Sequence, residues 1–116
     1  MRDHRKLDAF RLADKLAVEV YRVTANFPER EKFGLVSQMR RCAVSGPTNI
    51  VEGCARPSEK DLIRFLGISF ASVRELGYLI DLSARLGYLK LEDSKDAVEL
   101  QGRTAAALAA LIKSFD

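Results

Sequence analysis

The stretch "RRCAVSGPTNIVEGCAR", Arg40 to Arg56, puts Gly46-Pro47 at the centre of a chain that otherwise reads as helix. If it is a loop, the element count rises. If it is a helix containing a proline, the chain is a simple set of four. Val36, Met39, Ala43, Ile50 and Val51 share one helical face, and that face stays in phase across Pro47. Nothing in a true loop would force two halves into a common phase. A proline inside a helix removes the bond to the carbonyl four residues back, here that of Ala43, and kinks the axis at a cost of about 3 kcal/mol. Ser45, Thr48 and Asn49 are short polar side chains suited to the disturbed backbone groups. The stretch therefore reads as part of one kinked helix, from about Glu31 to about Gly53.

The rest of the chain repeats the same spacing. Before the central helix, Phe10, Ala13, Leu16, Ala17, Val20, Tyr21 and Thr24 recur at steps of three and four, and Pro28 closes the segment. After it, Ser58 is a good N-cap with Asp61 three positions on, as in a capping box. Leu62, Phe65, Leu66, Val73, Leu76, Leu79, Ile80 and Leu86 then form a long stripe that Gly87 ends. A last helix opens with Glu92, Asp93 and Asp96, which suit a positive helix start. Ala97, Leu100, Ala105, Leu108, Leu111, Ile112 and Phe115 are its apolar side. No strand alternation interrupts the pattern. Four helices of about 30 Å, joined by short loops, predict an all-α fold: an up-down antiparallel, left-handed four-helix bundle with a proline kink in helix two.

Composition agrees with one domain over residues 1–116, of which 47% are apolar and 30% charged. No apolar run reaches the ~20 residues that span a bilayer, and the N-terminus lacks the apolar core of a secretory signal, so a cytoplasmic location is expected. Cys42 and Cys54 would stand ~18 Å apart along one helix, beyond the ~7 Å that a disulfide allows. Free thiols fit a reducing compartment. Net charge is +3, concentrated centrally: residues 30–74 hold eight basic against four acidic side chains, whereas residues 75–116 hold five against seven.

The segments "LAVEVYRVTANFP", "FGLVSQMRRCAVSGPTNIVEG", "SEKDLIRFL" and "SVRELGYLIDLSARLGYL" carry a resemblance to a known family. The chain resembles the four-helix bundle proteins encoded within intervening sequences of bacterial 23S rRNA genes and by stand-alone bacterial genes. The likeness runs from about Leu7 to about Leu89. It is most specific at Phe33-Gly34-Leu35, Ser37-Gln38, Arg40-Arg41, Pro47, Asn49-Ile50 and Glu52-Gly53. Cys42 departs from the family's usual alanine. Gly46 replaces an apolar residue, a change expected to loosen the kink. The resemblance implies a ring-shaped homopentamer. It also extends to a fold-level likeness with an accessory protein of diversity-generating retroelements, which implies binding of RNA or a ribonucleoprotein through a basic oligomer surface.

Two readings of the central polar residues stand side by side. Pro47, Asn49, Glu52 and Glu75 form, with Arg40 and Arg41, a structural network of arginine–carboxylate pairs around the kink; or the arginines face phosphates. Adjacent helical residues point about 100° apart, so the two can divide these tasks. Candidate nucleic-acid-binding residues are Arg40, Arg41, Arg56, Lys60 and Arg64. No aromatic interleaving of the kind that stacks bases is evident, so contact with nucleic acid should be led by its backbone. Ile63, Gly67, Phe70, Gly77 and Tyr78 form a second stripe on helix three, a candidate oligomer interface whose glycines admit a close neighbour.

Enzyme signatures are missing. His4 is the only histidine and falls in an N-terminal segment expected to be mobile, which leaves no Ser-His-Asp or Cys-His arrangement and no Glu-x-x-His metal site. The glycines are scattered singly, with no phosphate loop. Glu92, Asp93, Asp96 and Glu99 are explained by a helix start. No catalytic residue, metal, cofactor, small-molecule substrate or membrane partner is expected. The expected function is binding: an RNA or ribonucleoprotein accessory factor, or alternatively a protein–protein scaffold without a nucleic-acid role.

Overall fold

The computed structural model describes residues 2–116. Its order is a short 3-10 turn His4–Lys6, helix α1 Asp8–Thr24, a second turn Glu29–Glu31, α2 Leu35–Ala55, α3 Glu59–Arg85 and α4 Leu91–Lys113. No strand occurs among the described residues. α1 packs against α2 and α4, and α3 packs against the same two, so the four form a closed ring in cross-section. The bundle measures 43 × 24 × 19 Å.

Local chemistry sets the helix ends. The Ser58 hydroxyl accepts the Asp61 backbone N–H at 3.3 Å, as an N-cap should. At the other end of α3, Gly87 adopts φ +80°. Its N–H donates to the Ala84 carbonyl and the Tyr88 N–H to the Ser83 carbonyl, which closes the helix in a Schellman turn. Arg22, near the end of α1, donates to Asp93 at 3.0 Å. That acid thus tethers the start of α4 to α1 as well as suiting its own helix start.

The core is a column of Leu16, Val20, Met39, Ile50, Leu66, Val73, Leu76, Ile80, Ala97 and Leu108, all essentially inaccessible. Each large member contributes about 1.5–3 kcal/mol by leaving water. Three residues read from spacing as core lie outside it: Tyr21, Val51 and Leu86 are exposed. Tyr21 and Val51 each follow a fully buried residue, Val20 and Ile50, and a 100° step carries them round to solvent. Thr24, Ser69, Ser83 and Thr104 are buried polar residues, and each bonds a carbonyl.

α2 runs unbroken across Pro47. Thr48 Oγ1 donates to the Val44 carbonyl at 2.8 Å and Asn49 Nδ2 to the Ser45 carbonyl at 2.8 Å. The Ser69 hydroxyl of α3 reaches the Gly46 carbonyl at 2.7 Å. Ser45 takes a different part from the one expected, with its hydroxyl bridged to Ser72 of α3 at 2.8 Å. Gly46 sits close to α3: a Cβ there would meet Val73 Cγ2 at 3.2 Å, tight enough that the valine would have to shift slightly. Gly53 is tighter still, since a Cβ would lie 2.9 Å from Phe65 Cβ and 3.3 Å from the Leu62 carbonyl.

These contacts give opposite expectations for two helical glycines. At Gly53, overpacking of about 1–3 kcal/mol opposes alanine's helix advantage of about 1 kcal/mol, so Gly53→Ala should destabilise by up to ~2 kcal/mol. At Gly102, where a Cβ meets open space, Gly102→Ala should stabilise by about 0.5–1 kcal/mol. Urea midpoints that shift in opposite directions are the expected result.

Candidate functional site

Arg40 leaves α2 at the seam with α1. Its Nε donates to Thr24 Oγ1 at 3.0 Å, its Nη2 to the Tyr21 carbonyl at 3.4 Å, and its guanidinium lies 4.5 Å from the centre of the Tyr21 ring. The expected carboxylate partner is therefore replaced by a hydroxyl, a carbonyl and an aromatic face. Arg41, one step round the helix, is exposed and forms no salt bridge among the described residues. Of the pair, one side chain is thus pinned and the other is exposed.

The carboxylates expected nearby are engaged elsewhere. Glu75 of α3 accepts Gln38 Nε2 at 3.1 Å. The neighbouring Cys42 thiol first, and the Gln38 amide second, hold its carboxyl below the usual carboxylate value. Burial first, and the neighbouring Glu75 carboxylate second, push the Cys42 thiol from 9.0 up to about 12, so it remains a protonated thiol at neutral pH. Glu52 pairs with Arg56 at 3.3 Å. Asn49 serves the helix beside Pro47, as described above.

Beside Arg40 lies a groove of about 460 Å³ between α1 and α2. Val36 and Val44 form apolar parts of its lining, Tyr21, Lys32, Phe33, Arg40 and Arg41 line it further, and none of its lining residues is acidic. Phe33 is 89% exposed and Tyr21 46% exposed. Lys32 Nζ sits 5.5 Å from the centre of the Phe33 ring. This mixture of cations and aromatic faces is the interleaving that the sequence did not reveal. The available signals were the Lys32-Phe33 pair next to Gly34 and the step that takes Tyr21 off the core face.

The remaining basic candidates form a separate group. Arg56 and Arg64 both place their guanidinium over Phe65, at 5.0 and 4.5 Å, and Arg64 also pairs with Asp61 at 3.7 Å. Lys60 is exposed beside them. Fifteen residues of helix separate Arg41 from Arg56, a rise of ~22 Å. The five candidates therefore define two patches at opposite ends of α2. Surface ion pairs such as Arg64–Asp61 contribute only about 0–1 kcal/mol and leave the charges reachable.

The second stripe on α3 is split as well. Phe70 packs against the bundle's own core, and Ile63 is half-buried. Gly77 makes room for Gln101 of α4, whose Nε2 donates to the Val73 carbonyl at 3.0 Å. Only Gly67, with nothing within 4 Å of a built Cβ, and Tyr78, 57% exposed, stand in the open. His4 is not loose: it lies in the first 3-10 turn with its ring edge-on to Phe10 at 4.7 Å. Among the described residues no group of three or more His, Cys, Asp or Glu converges to hold a metal. No helix there is long and apolar enough to cross a membrane.

Fold and surface together define an all-helical bundle with a cationic, aromatic groove on its α1–α2 face. The chain belongs to the 23S rRNA-intervening sequence protein family, which it matches over residues 5–110. Its structure is similar to that of a protein of unknown function from the S23 ribosomal protein family of Bacteroides thetaiotaomicron VPI-5482. The two share 23% identity with a TM-score of 0.82, over 90% of this chain and 95% of that one. At that identity the likeness shows the fold. No curated protein matches the chain.

Different costs follow for the two arginines. Arg40→Ala leaves Thr24 and the Tyr21 face without their partner and should destabilise by about 1–2 kcal/mol. Arg41→Ala should stay within about 0.5 kcal/mol of the parent. Urea denaturation of both variants, read by circular dichroism, checks the difference.

Proposed function

We propose that the protein is a non-enzymatic binding protein of the cytoplasm that assembles as a homopentamer and engages RNA, or a ribonucleoprotein, through its basic surface. The observation that carries this reading is the groove edge formed by Lys32, Arg40 and Arg41, where three cations gather and no lining residue is acidic. Phosphates are the common polyanions that such an edge attracts, and a charge of +3 per copy multiplies in an oligomer. The patch of Arg56, Lys60 and Arg64 offers a second point of backbone contact.

Binding to a structured RNA should weaken steeply as salt rises, because each phosphate contact releases condensed counterions. A fluorescence titration of the purified oligomer against that RNA, with duplex DNA beside it at several salt concentrations, checks this. An affinity indifferent to salt would sink the reading.

A protein-binding scaffold is the second reading, favoured by exposed apolar side chains on the α3–α4 side, Tyr78, Leu91 and Val98. In the leading reading that side joins copies of the chain. Tyr78→Asp should then give a smaller species by light scattering with helicity retained. An unchanged mass would move the oligomer interface off Tyr78. Phe70 is unsuited to the test because it supports the bundle's own core.

A further inference from the structure

We propose that the α1–α2 groove holds an unpaired nucleotide of single-stranded RNA, with its base stacked on Phe33 and its phosphate held by Lys32 and Arg41. The inference rests on the RNA reading above and names which form of RNA the groove selects.

Phe33 sets the selection. At 89% exposure it forgoes nearly all the stabilisation that burial would give, and its ring stands in the open beside the groove with Lys32 against it. A base pair inside a duplex hides both faces by stacking, so this ring can accept only a base that has left the stack. Flanking cations supply the rest. Lys32 Nζ lies 5.5 Å from the ring centre, within reach of a phosphate attached to a base stacked there. Arg41 is exposed and unpaired among the described residues. Arg40 is fixed by Thr24 and Tyr21, so its charge is presented without loss of side-chain freedom.

Charge complementarity favours this occupant. An apolar partner seated on Phe33 and Val44 would strip water from three cations that have no acidic residue beside them in the groove. A nucleotide brings an apolar face and an anion in one unit. The groove, at about 460 Å³, also falls in the size range of small-ligand sites.

The chain has no tryptophan, so Phe33→Trp creates a single reporter at the stacking position. A short oligoadenylate should quench its emission, and a blunt RNA duplex of equal charge should not. In binding titrations, Phe33→Ala should weaken oligoadenylate at least about five-fold and leave the duplex within two-fold. Because Phe33 is so exposed, the variant should fold as the parent does. Arg41→Gln should weaken both ligands and flatten the salt dependence. Salt-dependent RNA binding that ignores Phe33→Ala overturns the inference and leaves the RNA reading standing. A change of oligomer mass in Phe33→Ala overturns it by assigning the face to a second copy of the chain. No binding of either RNA at low salt overturns both.

Discussion

The packing of α3 against the middle of α2 is the constraint on which the other features rest. Pro47 removes a backbone donor from α2, and a helix weakened there needs support from its neighbour. α3 supplies it through Ser69, which bonds the Gly46 carbonyl, and Ser72, which bonds Ser45. Gly46 and Gly53 bring the helices close enough for these short side chains to reach. A longer residue at Gly53 would press on Phe65 and the Leu62 carbonyl and push α2 and α3 apart.

From that contact the surface follows. With Met39, Ala43, Gly46 and Ile50 committed inward, helical geometry turns Arg40 toward α1 and Arg41 outward. The same rotation exposes Val44 and Val51. Cys42 is buried, and the nearby Glu75 carboxylate of α3 accepts Gln38 Nε2 at 3.1 Å. Arg41 lies close enough to Glu75 to help hold its carboxylate charged, yet forms no salt bridge among the described residues and stays exposed.

Features carried by a single helix were legible in the sequence. The common phase across Pro47, the Ser58 cap and the Gly87 terminus each depend on residues of one element, and the structure has each of them. Contacts that depend on a second helix were not legible. Whether Arg40 finds a carboxylate or Thr24 depends on which residue α1 presents across the seam. Whether Gly77 faces another chain or Gln101 depends on α4, and the packing of Phe70 against the bundle's own core likewise depends on its neighbours. The aromatic groove was missed because its parts come from two helices and a turn, so no single window of sequence holds them.

The N-terminal segment has a bearing on architecture at larger scale. The Arg2 N–H donates to the Cys54 carbonyl at the end of α2, and its guanidinium lies 5.1 Å from the Phe115 ring centre. An even number of antiparallel helices returns the chain to the level where it began, and this contact gathers both ends there. Anything joined to either end departs beside Arg56 and the α2–α3 turn, at the pole away from Lys32 and Phe33. A tether attached there can shield the patch of Arg56, Lys60 and Arg64 while leaving the groove open, so the two cationic regions answer differently to what is carried on the chain's ends.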